Sequence, residues 1–137
     1  MLELPLNIYG RMIAHAREGS PLEVCGILGG KGSVVSAIYP MTNTDASGEH
    51  FMMDPREQFV TVKALRSREL EMVAVYHSHP ATPARPSDED IRLALTVDIS
   101  YVIVSLADPS APEVRSFKIA GGKVASEELR IIHDEEV

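Results

Sequence analysis

Two short apolar runs limit what this chain can fold into. Residues 72–76 read MVAVY and residues 99–106 read ISYVIVSL. Both are rich in β-branched side chains and lack a regular polar alternation. A strand of that kind has two faces to hide, so it belongs in the middle of a sheet with other elements packed on either side. The neighbouring sequence supplies the covers. Leu6, Tyr9, Ile13 and Ala16 recur at spacings of three and four, one apolar stripe of a helix. Gly19-Ser20-Pro21 ends that helix, with Gly19 as a left-handed cap and Pro21 unable to continue it. A second helix begins at Asp54-Pro55-Arg56-Glu57, where Asp54 caps, Pro55 suits the first helical position and Glu57 completes a capping box. It runs to about Arg68, with Phe59, Val62 and Leu65 inward. A third helix is expected from about Ser87 to Leu95.

The remaining segments read as strands and turns. VCGIL and SVVSAIY, joined by GGKG, form one hairpin, and EVRSFKI, AGGK and VASEELRII form another near the end. The polar stretch 41–50, MTNTDASGEH, is the longest loop-like segment and a candidate substrate-facing element. The expected architecture is α/β (α+β), a mixed central sheet flanked by helices. At 137 residues the chain is expected to be one domain, 1–137.

Charge and cysteine usage exclude several functions. A net charge of −7 argues against a groove for nucleic acid, which needs clustered Lys and Arg. Cys25 is the only cysteine, so no intrachain disulfide and no Cys-based zinc cage can form. The start lacks a signal-peptide pattern, and no apolar run approaches membrane-spanning length. The expectation is a cytoplasmic protein without nucleic-acid or membrane partners.

Chemistry concentrates where the first apolar run stops, at HSHPATPARPSDED, residues 77–90. Residues two apart on a strand share a face, so if the strand continues past Tyr76, His77 and His79 project together. Asp90 adds a carboxylate across a loop stiffened by Pro80, Pro83 and Pro86. Two imidazoles and one carboxylate, with a fourth position for water, match a catalytic zinc pattern. One Asp leaves the metal centre positive, able to acidify water and polarise a carbonyl. Such a site needs a carboxylate beside the water as general base, and Glu23, just before an apolar strand, fits. A second reading stands beside this one. Ser87 followed by Asp88, Glu89 and Asp90 is also a helix N-terminus, with Ser87 as cap, and the paired histidines then make a hydrogen-bonded turn.

Other chemistries lack their residues. A metallo-β-lactamase-like site wants an Asp and a third His where Ala81 and Thr82 stand. A nucleobase deaminase wants a cysteine pair, and no His-Glu-x-x-His helix is present. Cys25 as a nucleophile is disfavoured by its apolar strand and its acidic neighbour.

Together, Glu23, His77-Ser78-His79-Pro80, Ser87 and Asp90 resemble the signature of the JAMM (MPN-plus, or Mov34/PAD-1) metalloproteases: a Glu, then His-x-His-Pro, then Ser-x-x-Asp after seven intervening residues. The resemblance implies the JAB1/MPN fold, a cytidine-deaminase-like mixed sheet flanked by helices. It implies that His77, His79 and Asp90 bind one Zn²⁺ per chain with a bound water. Glu23 would move the proton from water to the leaving amine, and Ser87 would donate a hydrogen bond to the oxyanion. The implied activity is hydrolysis after the C-terminal Gly-Gly of a ubiquitin-like carrier protein. The chain's shortness resembles stand-alone prokaryotic members that act on small sulfur carriers, releasing an amino acid such as cysteine, a peptide or a conjugated protein. The carrier's tail is expected between the 41–51 region and the loop 81–86. The alternatives are a non-catalytic scaffold of the same fold and a metal hydrolase for a small-molecule amide. His15 and His133 are read as structural or solvated, and His50 as a residue at the end of the substrate loop.

Overall fold

The computed structural model describes residues 1–96 and 98–133. The chain runs β1 (Leu2–Pro5), α1 (Leu6–Gly19), β2 (Cys25–Lys31), β3 (Val34–Met41), α2 (Pro55–Ser67), β4 (Glu71–His79), α3 (Asp88–Leu93), β5 (Ser100–Ser105), β6 (Glu113–Ala120), β7 (Lys123–Glu127) and β8 (Leu129–Ile132). The strands form one 8-stranded sheet in the order β7-β6-β5-β4-β2-β3-β1-β8. β4 pairs with β5 in parallel and with β2 antiparallel, so the sheet is mixed and the two apolar runs lie near its middle, as expected.

Burial sorts the sheet into two faces. Leu4, Ile8, Met12 and Ala16 pack with Leu28, Tyr76, Val102 and Val104 on the side covered by α1. On the other side, Cys25, Ile27, Met41, Met53 and Leu65 pack under α2. Ala84, Ile103, Phe117 and Ile119 pack there too, with Ile91 and Ala94 from α3 and the residue after it. Alternation along β4 therefore sends Tyr76 to the α1 face and Val75 to the α2 face.

Several local expectations change. The buried stripe of α1 is Ile8, Met12 and Ala16, while Leu6 is exposed at the helix start. Gly19 is not left-handed; a Cβ there would lie 2.2 Å from Val24 Cγ1, so close packing requires the glycine. Phe59 points outward and is 67% exposed, with Thr61 and Leu65 facing the core instead. Asp54 does cap α2, accepting from the Arg56 and Glu57 amides. Glu57 does not return the bond: its carboxylate accepts from the Thr42 amide and hydroxyl, tying the base of the polar loop to the helix. β1 had no counterpart in the sequence reading. The last segment, read as one strand, breaks at Glu128 into β7 and β8, which occupy opposite margins of the sheet. The two margins therefore meet at one corner, where the Leu2 amide donates to the Glu128 carbonyl and the Met1 amino group lies 3.5 Å from Glu127 Oε2. The acidic end, 134–137, lies outside the described residues. Among the described residues no helix is long and apolar enough to cross a membrane.

Candidate metal centre and active site

β4 continues through His79, so His77 and His79 share the α2/α3 face, and both are 4% exposed. Asp90 reaches them from the first turn of α3. Its Oδ2 lies 3.1 Å from His77 Nε2 and 3.1 Å from His79 Nε2, and the two nitrogens are 3.1 Å apart. Three electron-pair donors thus point at one place. Tetrahedral zinc, with bonds of about 2.0–2.1 Å to imidazole, separates its ligands by roughly 3.3–3.4 Å. The donor set and its spacing fit such an ion, and no other His/Cys/Asp/Glu group of this kind occurs among the described residues.

Each ligand is held from behind. His79 Nδ1 lies 2.8 Å from the Pro83 carbonyl, which can only accept, so Nδ1 carries the proton and Nε2 presents its lone pair. The loop supplying that carbonyl is pinned by Ser105, whose hydroxyl donates to the Thr82 carbonyl at 2.6 Å. Phe51 stacks on the His77 ring at 4.6 Å between centroids. Asp90 Oδ2 also accepts from the Ser87 amide at 2.9 Å, while the Ser87 hydroxyl accepts from the Asp90 amide at 3.0 Å. The helix-cap reading and the ligand arrangement are therefore the same object: the capping box aims the carboxylate. Ser87 still has its hydroxyl proton to donate.

Glu23 arrives from the neighbouring strand. Cys25 pairs with His77, and carrying that register two residues outward sets Glu23 across from His79, on the same face. Ser78, between the histidines, faces the opposite way; its hydroxyl accepts from the Val24 amide at 2.8 Å and its own amide donates to the Val24 carbonyl. That clasp locks Glu23 beside the ligands. Glu23 is 5% exposed, and among the described residues its Oε1 has no hydrogen-bond partner. Burial raises its pKa to about 7, with His79 pulling down and Asp90 pushing up. For Asp90, burial is outweighed by the hydrogen bonds to His77 and His79, which hold it well below the ordinary carboxylate range. Burial lowers His77; His79, although also desolvated, is raised by Asp90 and the Pro83 carbonyl. Cys25 is fully buried and its thiol is pushed up to about 12 by burial, which leaves it inert.

A cleft of about 460 Å³ opens beside the triad, walled by Phe51, Met53, Leu93, Tyr101 and Ile103, with no lysine or arginine among its lining residues. His50 stands at its rim with Nδ1 3.0 Å from Asp45 Oδ2. His15 is remote, 2.7 Å from the Tyr76 hydroxyl on the α1 face. The sequence reading missed Phe51, Ser105 and the Pro83 carbonyl. An aromatic beside the ligand strand leaves no mark in sequence spacing, and a carbonyl is not visible at all.

Residues 5–120 match the family model described as prokaryotic homologs of the JAB domain. A CysO-cysteine peptidase from Mycobacterium tuberculosis is 37% identical over 96% of this chain and 92% of its own length. A desampylase from Haloferax volcanii is 33% identical over 76% of this chain and 80% of its own. A solution structure of a protein from Desulfitobacterium hafniense superposes with a TM-score of 0.90 at 46% identity, covering 98% of this chain and 94% of that one.

Proposed function

This chain belongs to the prokaryotic JAB-domain family, and from that premise we propose that it is a zinc-dependent peptidase or isopeptidase. Its substrate is the amide bond that follows the C-terminal Gly-Gly of a ubiquitin-like or sulfur-carrier protein. The observation that carries the reading is the meeting of His77, His79 and Asp90 within 3.1 Å of one another, next to a buried carboxylate oxygen without a partner among the described residues. A scaffold has no use for such a cluster, because unpaired buried polar atoms are costly.

His77, His79 and Asp90 would hold one Zn²⁺ per chain. Bound there, zinc supplies Lewis acidity, lowering the pKa of water and polarising a carbonyl. The rest is done by the chain. Glu23 takes the proton of the attacking water on its carboxylate and returns it to the leaving amine, which a carboxylate that is not a ligand can do in turn. Ser87 turns its hydroxyl proton toward the carbonyl oxygen as negative charge grows there. Phe51, stacked on His77, keeps water off that imidazole. The carrier's tail runs between the 41–51 region and the loop 81–86, where glycines let the backbone pass close to the centre. The likeness to a CysO-cysteine peptidase over nearly the whole chain makes a carrier with a C-terminal cysteine the first substrate to try.

The test combines metal analysis with mass spectrometry of a carrier extended beyond Gly-Gly. The reading expects about one zinc per chain in the wild type, none in His77→Ala or Asp90→Ala, and release of the extension by the wild type alone. Zinc binding with cleavage of short model amides but of no carrier would replace the carrier with a small-molecule amide. No zinc uptake would leave the scaffold.

A further inference from the structure

The carboxylate of Glu23 has no donor to orient its Oε1 among the described residues, so its aim depends on how its backbone is held. One side is the Ser78–Val24 clasp. The other is the polar loop. The Glu23 amide donates to the Ser47 carbonyl at 2.8 Å. The Glu23 carbonyl accepts from Asn43 Nδ2 at 3.0 Å, and the same Nδ2 donates to the His50 carbonyl at 3.2 Å. Asn43 Oδ1 accepts from the Asp45 amide at 3.1 Å and the Met52 amide at 3.0 Å. Both partners of Nδ2 are acceptors and both partners of Oδ1 are donors, so the carboxamide has one orientation and all four of its bonding positions are filled. The loop also lies flat on the segment before Glu23: a Cβ on Gly48 would stand 2.7 Å from the Pro21 carbonyl.

We propose that Asn43 is a positioning residue for Glu23, and that the loop 43–52 is the brace that aims the general base as well as a surface for substrate. The proposal rests on the function proposed above. Removing residues 44–48 takes away the Ser47 carbonyl that the Glu23 amide donates to, so kcat should fall along with any change in KM.

The variant to make is Asn43→Asp, which keeps Oδ1 as acceptor for the loop amides but turns both donations into contacts between oxygens. In the zinc-loaded enzyme kcat should fall about ten- to a hundredfold, the scale of a displaced catalytic group, with KM and zinc stoichiometry unchanged. In a Glu23→Gln background the same substitution should produce no further loss, because its effect passes through Glu23. An equal further loss in that background, a loss of zinc, or an unchanged kcat would each overturn the proposal. If the wild type cleaves no carrier, the functional reading fails by itself, and the brace is judged by backbone amide exchange in Asn43→Ala. Faster exchange at Glu23 with Val24 still protected by Ser78 supports it. Unchanged protection at both, or general loss of protection across β2 and β4, rejects it.

Discussion

β4 presents two very different surfaces at consecutive residues. On the α1 side, Tyr76 and Ser78 are fully buried and each polar atom has a partner: the tyrosine hydroxyl meets His15, and the serine hydroxyl takes the Val24 amide. On the α2/α3 side, His77 and His79 are almost as buried, yet their nitrogens crowd one carboxylate oxygen at 3.1 Å, and Glu23 beside them keeps an oxygen unpartnered among the described residues. One face is complete as a folded surface. The other is complete only with something positive placed in it. The strand thus shows how a fold distinguishes support from chemistry: the supporting polar groups are satisfied by protein, and the chemical ones are left for a guest.

Substitutions on the second face should separate zinc and activity from stability. The largest effect is expected for Asp90→Ala or His77→Ala, with zinc lost by elemental analysis and cleavage below detection. Next comes Glu23→Gln, which should retain zinc while kcat falls about 10²–10⁴-fold, the range for a general acid–base group. Ser87→Ala should lower kcat by about 10²–10³ through the lost oxyanion donor. It should also destabilise by about 1 kcal/mol through the lost cap, so melts and kinetics are both needed. On the first face the pattern inverts. Ser78→Ala leaves a buried Val24 amide unpaired, which should destabilise by about 1–3 kcal/mol with zinc stoichiometry unchanged.

The smallest effect is in pH dependence without metal. Glu23 is raised in the fold from 4.5 to about 7, so its contribution to stability is full below 4.5 and disappears as pH rises through about 7. Asp90 is depressed, so its contribution is present above 3.8 and is lost only in strong acid. Thermal melts in chelator should therefore decline between pH 4.5 and 7, and Glu23→Gln should flatten that decline. A slope unchanged by the substitution would place the titration elsewhere.

Much of this was readable in the sequence where residue type and period agree. The β-branched runs marked the central strands, and the two-residue spacing of His77 and His79 put them on one face. The Ser-x-x-Asp spacing fitted both a cap and a ligand set, and the fold uses one geometry for both. What sequence did not carry was set by tertiary contact. Phe59 lies on an apolar period but faces out, because the inward positions of α2 are Thr61 and Leu65. Glu57 has the spacing of a capping box, but a better partner, Thr42, is supplied by a loop remote in register. Asn43 looks like any turn residue in a Thr-Asn-Thr stretch. Its four bonds exist only once Glu23, His50 and Met52 have been gathered around it.

The corner at Glu128 has a consequence for synthesis. β1, the first strand made, pairs in parallel with β8, Leu2 opposite Leu129, and β8 is the last element of the described chain. A chain growing from its N-terminus can assemble β2 to β6 with their neighbours, but β1 waits for its outer partner until residues 129–132 have emerged. Long separation of this kind slows closure and leaves an open strand edge in the meantime. Without residues 129–132 the outer edge of β1 would have no strand to pair with, so the fold of the first strand depends on the far end of the described chain.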